Sequence, residues 1–253
     1  MKGIILAGGR GTRLHPLTKA TNKHLLPVGR EPMLFHPIRQ MVGADITDIL
    51  VITSTEHMGD VVNCLGSGKD LACSFTYKVQ EEAGGIAHAL ALGEGFARGE
   101  PICVILGDNV FEYAITPYAH AFARQQKGAR VLLKEVGDPE RYGVAALDEK
   151  HVIDIEEKPT NPKSSFAVVG LYFYDAQVFD IIRGVRPSPR GELEITSVNN
   201  AYIERGQLQY DICAGRWTDA GTFDSLIEAN RILMESENRI LPHVAHASHV
   251  AHE

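Results

Sequence analysis

Near its start the chain carries an uncharged run, Gly3-Ile4-Ile5-Leu6-Ala7, that empties without a polar spacer into Gly8-Gly9-Arg10-Gly11-Thr12-Arg13-Leu14. Few folds accommodate such a junction. A short apolar run that ends at a glycine cluster reads as a strand buried on both faces. The glycine turn at its end lets backbone N–H groups converge on an anion with no Cβ in the way. Arg13, and Lys23 a short loop later, add the positive charge that a triphosphate needs. Two familiar phosphate loops are excluded by spacing. No Gly-x-x-x-x-Gly-Lys-Ser/Thr string occurs, and the dinucleotide fingerprint fails because Leu14 stands where its third glycine is required.

The 253 residues suffice for a sizeable core, and one large α/β domain is expected over two independent ones. We read residues 1–240 as that domain, in two halves (1–137 and 138–240), followed by a flexible tail (241–253) that carries four of the eleven histidines. A net charge of −7 speaks against nucleic-acid or membrane partners, which favour basic patches. Any anionic ligand must therefore be met by a local positive site. Cys64, Cys73, Cys103 and Cys213 are far apart, with no Cys-x-x-Cys pair, and read as reduced residues of a cytoplasmic protein. The N-terminal run is too short for a signal peptide or a membrane span.

Strand and helix patterns alternate through the first half. Helices are expected at residues 32–42, 58–65 and 86–97, and strands at 48–53, 74–79 and 102–106. Pro37 is tolerable only in the first turn of its helix or at a bend. This alternation predicts an α/β fold of Rossmann-like type, a mostly parallel sheet covered by helices on both faces. Ligands of such sheets lie beyond the carboxyl ends of the strands, where the glycine loop and Gly107-Asp108-Asn109 both fall. Gln80 precedes a second glycine turn, Ala83-Gly84-Gly85-Ile86. Its amide offers one acceptor and one donor group, a match for the imide edge of a pyrimidine.

After Asp138 the pattern changes. Two alternating segments, 145–147 and 152–155, predict an antiparallel excursion. Glu156-Glu157-Lys158-Pro159, an aromatic strand at 168–174, a helix at 176–182 and the string Pro189-Arg190-Gly191-Glu192-Leu193-Glu194 follow. Trp217-Thr218-Asp219-Ala220-Gly221 then opens a last helix at 223–237, with Trp217 read as a packing residue.

Taken together, Leu6-Ala7-Gly8-Gly9-x-Gly11-Thr12-Arg13-Leu14-x-Pro16, Lys23, Leu26-Pro27-Val28-Gly29 and the later strings resemble the sugar nucleotidyltransferases over nearly the whole chain to about residue 235. The likeness is nearest to the short-type glucose-1-phosphate thymidylyltransferases. It implies that dTTP and α-D-glucose 1-phosphate give dTDP-glucose and pyrophosphate, the first step of dTDP-rhamnose and other deoxysugar synthesis, with Mg²⁺ as cofactor and a homo-oligomeric assembly. It assigns catalysis to Arg13, Lys23 and Lys158. It makes residues 1–137 the nucleotide-binding half and 138–240 the sugar-binding half, and assigns nucleotide binding to Leu6, Gly8, Gly9, Gly11, Thr12, Gln80, Gly85 and Asp108. Sugar-phosphate binding falls to Tyr142, Gly143, Glu157, Lys158, Val168, Tyr172, Arg190 and Glu192, and the metal to Asp108 and Asp219. The chain departs mildly from the pattern at Ile86, and at Ala220 where threonine is usual. Two other readings stay open: an enzyme using UTP or another sugar 1-phosphate, and a non-catalytic sugar-nucleotide sensor on the same fold.

Overall fold

The computed structural model describes residues 1–240; the histidine-rich tail expected at 241–253 lies outside the described residues. β1 (Lys2–Ala7) runs into three short 3-10 turns at residues 12–14, 17–19 and 23–25. The small ribbon β2 (Pro27–Val28) and β3 (Glu31–Pro32) follows, then α1 (Phe35–Val42), β4 (Asp48–Ser54), α2 (Met58–Leu65) and β5 (Ser74–Gln80). Next come α3 (Ile86–Ala91), α4 (Glu94–Ala97), β6 (Ile102–Leu106), β7 (Asn109–Phe111), α5 (Thr116–Gln125) and β8 (Ala129–Glu135). The hairpin β9 (Gly143–Leu147) and β10 (Val152–Glu157) leads to the long β11 (Phe166–Tyr174). The chain closes with α6 (Val178–Gly184), α7 (Ile195–Glu204), β12 (Leu208–Ile212), β13 (Trp217–Asp219) and α8 (Phe223–Ile240).

Nine strands form one sheet in the order β10-β9-β11-β6-β1-β4-β5, with β8 joined to β11 and β12 to β8. β5, β4, β1 and β6 are mutually parallel, and the chain reverses its direction of growth between β1 and β6. That reversal opens a crevice at the carboxyl ends of β1 and β6, the usual ligand position in such sheets. The excursion is antiparallel, as expected: β11 pairs antiparallel with β6, β8 and β9, and β9 with β10.

Side chains alternate between two apolar layers. Ile4, Leu50, Ile52 and Val104 face one layer, and Ile5, Ile49, Val51 and Ile105 face the other. Both layers are buried, so the strands have no polar side and read as continuous apolar runs. α3, α4, α6 and α7 cover the first layer, and α1, α2 and α5 the second. A third cluster joins Leu14, Leu26 and Val28 to Ala220, Ala229 and Ile232, so α8 clamps the glycine-loop segment and the end of β13 together.

Several elements differ from expectation. The single helix expected over residues 86–97 is two, because the chain turns at Leu92 and Gly93 before α4 begins. The helix expected at 176–182 is shifted to Val178–Gly184, and β11 begins two residues before the expected 168. Pro37 falls in the first turn of α1, where its missing N–H costs nothing. Among the described residues all four cysteines are free, with Cys103 and Cys213 buried. No described helix is long and apolar enough to cross a membrane.

Candidate active site

β6 ends at Leu106, and β9 takes over the same edge of β11 only at Ala167. Between them the edge of β11 is open, and this gap is the floor of the site. Asn109 fills it. Its Oδ1 accepts from the Gly170 N–H at 3.0 Å and from Nε1 of Trp217 at 2.7 Å, while its Nδ2 donates to Oδ1 of Asp108 at 2.9 Å. Gly170 permits the approach: a Cβ there would lie 2.6 Å from Asn109 Oδ1. Buried backbone donors need such partners, so Asn109 satisfies the strand and orients the neighbouring carboxylate together. Sequence reasoning passed over Asn109; its place directly beside Asp108 was the available signal.

Two cavities meet at this floor, sharing Ile86, Leu106 and Asp108 in their walls. The one beyond the carboxyl end of β1 has a volume of about 270 Å³ and is lined by Leu6, Gly8, Gly9, Lys23, Gln80, Gly85 and Glu192, among others. The other, about 240 Å³, is lined by Arg13, Arg141, Tyr142, Gly143, Glu157, Lys158, Val168, Tyr172 and Asp219, among others. The residues expected to hold a nucleotide and those expected to hold a sugar phosphate thus fall into adjoining chambers, with three exceptions and one exchange. Gly11 and Thr12 line neither; Gly11 adopts a left-handed turn at φ +64° and backs onto the stem of Lys23. Arg190 is half-exposed and tied to Glu192 at 3.1 Å and Glu157 at 3.5 Å, outside the cavity walls. Glu192 faces the Gln80 chamber, not that of Lys158.

Asp108 and Asp219 are brought together differently from the sequence reading. In sequence each directly follows a strand-like segment, which would put both at the carboxyl edge of one parallel sheet. Instead β7 and β13 form a separate antiparallel ribbon in which Asp219 stands opposite Asn109, and the Ala220 N–H donates to the Asp108 carbonyl at 2.8 Å. The ribbon turns a separation of 111 residues into adjacency. Ala220 is fully buried in the apolar cluster under α8, where a methyl group is well suited. Trp217 packs as expected, tilted against Tyr142 at 5.4 Å, and its edge also lines the second cavity.

The two carboxylates have opposite electrostatics. For Asp108, burial favours the neutral acid, but the Lys23 charge, with hydrogen bonds from Lys23 and Asn109, overrides it and holds the group well below the usual carboxylate range. For Asp219, burial and then the facing Asp108 charge raise the pKa, against the opposing pull of Arg141, Arg13 and Lys23. Arg141 donates to Oδ1 of Asp219 at 3.3 Å and, with its other arm, to Asp138 at 2.6 Å. Arg141 was not singled out from sequence. Two mutually repelling carboxylates could be bridged by a hard divalent cation, which accepts few protein carboxylates and takes its remaining oxygens from phosphate and water.

In the second cavity, Thr196 donates to Oε2 of Glu157 at 2.6 Å, leaving Oε1 toward Lys158 and Arg190 at 3.6 and 3.5 Å. Lys158 has φ +44°, a left-handed conformation that costs a side-chain residue of order 1–3 kcal/mol. Its N–H donates to the Tyr142 carbonyl at 2.9 Å, which helps to hold it there. Strain of this kind concentrates where a side chain must be aimed.

A parallel sheet with its crevice at β1 and β6, a glycine loop with two cations and a paired-carboxylate floor define a protein that handles nucleoside phosphates. The chain belongs to the nucleotidyl transferase family, whose model matches residues 2–236. It is 43% identical to the glucose-1-phosphate thymidylyltransferase of Neisseria meningitidis serogroup A, over 99% of this chain and 88% of that one. It is 45% identical to the enzyme of the same name from Xanthomonas campestris, over 90% and 79%. Among solved structures it resembles a Bacillus anthracis protein described as a glucose-1-phosphate thymidylyltransferase in complex with sucrose. The TM-score is 0.88, the identity 57%, and 92% of this chain and 94% of that one are covered. A UDP-glucose pyrophosphorylase bound to UDP-glucose superposes with TM-score 0.81 at 25% identity, over 92% and 98%.

Proposed function

We propose that this nucleotidyltransferase transfers the thymidylyl group of dTTP to α-D-glucose 1-phosphate, releasing pyrophosphate. One observation carries the reading: a chamber with an amide and a glycine loop adjoins a chamber with carboxylates and a lysine, and Asp108 stands at their junction. The base would lie against Gln80 and Gly85, and the triphosphate along Gly8, Gly9, Lys23 and Arg13. The hexose would be held by Glu157, Tyr142 and Gly143, with Val168 and Tyr172 as its apolar walls.

A phosphate oxygen of the sugar attacks the α-phosphorus in line, and the bond from that phosphorus to the bridging oxygen of the β-phosphate breaks. No covalent nucleophile on the protein is needed; positioning and charge stabilisation suffice. Lys158 holds the attacking phosphate, and Arg13 and Lys23 take up charge on the departing pyrophosphate. Asp108 and Asp219 would hold Mg²⁺, which when bound offsets the anionic charge at the α-phosphate. On the same reading the product feeds dTDP-rhamnose and other deoxysugar synthesis in the cytoplasm, and the enzyme works as a homo-oligomer.

The likeness to a UDP-glucose pyrophosphorylase favours one second reading, a UTP-using enzyme. Pyrophosphate release measured across a panel of nucleotides and sugar 1-phosphates separates them. The proposal expects the highest kcat/KM with dTTP and glucose 1-phosphate; a clear preference for UTP would replace it with the second reading.

A further inference from the structure

The Gln80 amide is not free to turn. Its Nε2 donates to Nδ1 of His88 at 3.2 Å and, more weakly, to the Gly85 carbonyl at 3.4 Å, so both amide hydrogens have partners. Its Oε1 points the other way: a Cβ built on Gly8 would lie 2.8 Å from it, and Gly8 and Gln80 share the wall of the first chamber. An amide holds an acceptor on one side and a donor group on the other. With the hydrogens engaged, what Gln80 offers a ligand is an acceptor.

His88, on α3, reaches the amide because Gly84 has no side chain; a Cβ there would lie 2.6 Å from Nδ1. Nδ1 can accept only in the neutral ring that carries its proton on Nε2. We propose that His88 is a positioning residue that fixes the polarity of the Gln80 amide, so that the chamber selects a base with a ring N–H, thymine or uracil, over cytosine with its ring lone pair. The proposal deepens the nucleotide reading above and rests on it. Without the His88 acceptor the amide can rotate by half a turn and present its NH₂ group. A single net hydrogen bond then sets the scale of what is lost, about tenfold in discrimination.

The test compares the unchanged protein with His88→Ala and His88→Asn, measuring kcat and KM for dTTP and for dCTP at saturating glucose 1-phosphate. His88→Ala is expected to lower the dTTP/dCTP ratio of kcat/KM about tenfold, through the nucleotide KM, with the KM for glucose 1-phosphate unchanged. His88→Asn, whose Oδ1 can stand near the lost Nδ1, is expected to restore the ratio. An unaltered ratio in His88→Ala, or equal damage to every parameter without rescue by asparagine, overturns the proposal. If the unchanged protein forms no dTDP-glucose, the functional reading fails instead. Calorimetric Kd values for dTTP and dCTP in the same three proteins then decide the role of His88, by whether their ratio shifts in the same pattern.

Discussion

Lys23 donates from Nζ to Oδ2 of Asp108 at 2.5 Å, across 85 residues of sequence, with the two side chains only 11% and 13% exposed. The pair joins the glycine loop after β1 to the end of β6 at the mouth of the crevice. It keeps Asp108 anionic despite its burial. It also stores a cation where a triphosphate would enter, so an arriving phosphate and a divalent cation would each take over one half of an existing ion pair.

This arrangement separates two substitutions that remove the same charge. Asp108→Asn leaves the Lys23 ammonium without its counter-ion and should cost at most about 3 kcal/mol, the low end for breaking a buried pair because both side chains keep some exposure. Asp219→Asn relieves repulsion with Asp108, and Arg141 retains Asp138, so its stability should be nearly unchanged. Both should lose most turnover, EDTA should abolish activity, and the double variant should be scarcely less active than either single one. Urea denaturation beside steady-state rates checks this. Metal-independent activity, or fully additive losses, would contradict a shared ion.

Asn109→Ala leaves the Gly170 N–H and the Trp217 indole N–H without their acceptor, at about 1–3 kcal/mol each. The expected result is a loss of about 2–5 kcal/mol in chemical denaturation, with a raised KM for glucose 1-phosphate because Gly170 and Trp217 line that chamber. A stability loss below about 1 kcal/mol would show that the open edge of β11 is satisfied in another way.

The parallel half was legible because β1, β4 and β6 are buried on both faces and spell uninterrupted apolar runs. The antiparallel half was less so. α7 packs inward through Thr196 and Asn199 as well as Ile195 and Val198, so buried polar residues blur its apolar period. β8 pairs with β11 and β12 pairs with β8, so each is placed by a partner that lies far along the chain. Most of the candidate residues could be aligned to one edge of the fold from motifs alone. The position of Asp219 could not be derived in that way, because a three-residue ribbon, not the main sheet, carries it. Arg141 and Asn109 act through contacts with Asp219 and Asp108, which only the folded chain shows.

His24 is 2% exposed, bonded through Nδ1 to Asn22 Oδ1 at 2.8 Å, and burial followed by the Lys23 charge lowers its pKa from 6.5 to about 3. Its folded pKa lies below the unfolded one, so the unfolded chain binds the proton first. The stability due to neutral His24 is complete above pH 6.5 and is lost as pH falls toward 3. From pH 6.5 to 5 the loss should be about 2 kcal/mol. Denaturation midpoints at these two pH values, with His24→Gln as the control, test it. A control with the same slope as the unchanged protein would rule His24 out as the source.

Arg13 lines the second chamber, and the position of a Cβ built on Gly221 lies 3.2 Å from its Nη2 and 3.3 Å from Asp219 Oδ2. Arg13→Ala should lower kcat by about 10²–10³, the scale of one preorganised charge-stabilising group, while far-ultraviolet circular dichroism is unchanged. Near-normal turnover would mean that Lys23 alone meets the leaving pyrophosphate.

The central claim, that the two chambers hold a nucleoside triphosphate and a sugar phosphate in position to react, is tested most directly by ³¹P NMR of the unchanged protein with dTTP, α-D-glucose 1-phosphate and Mg²⁺. Coupled chemistry gives dTDP-glucose and pyrophosphate in equal amounts, with both substrates consumed together and neither consumed alone. Binding of both ligands with no new phosphorus signal, or hydrolysis of dTTP while glucose 1-phosphate remains intact, would contradict it.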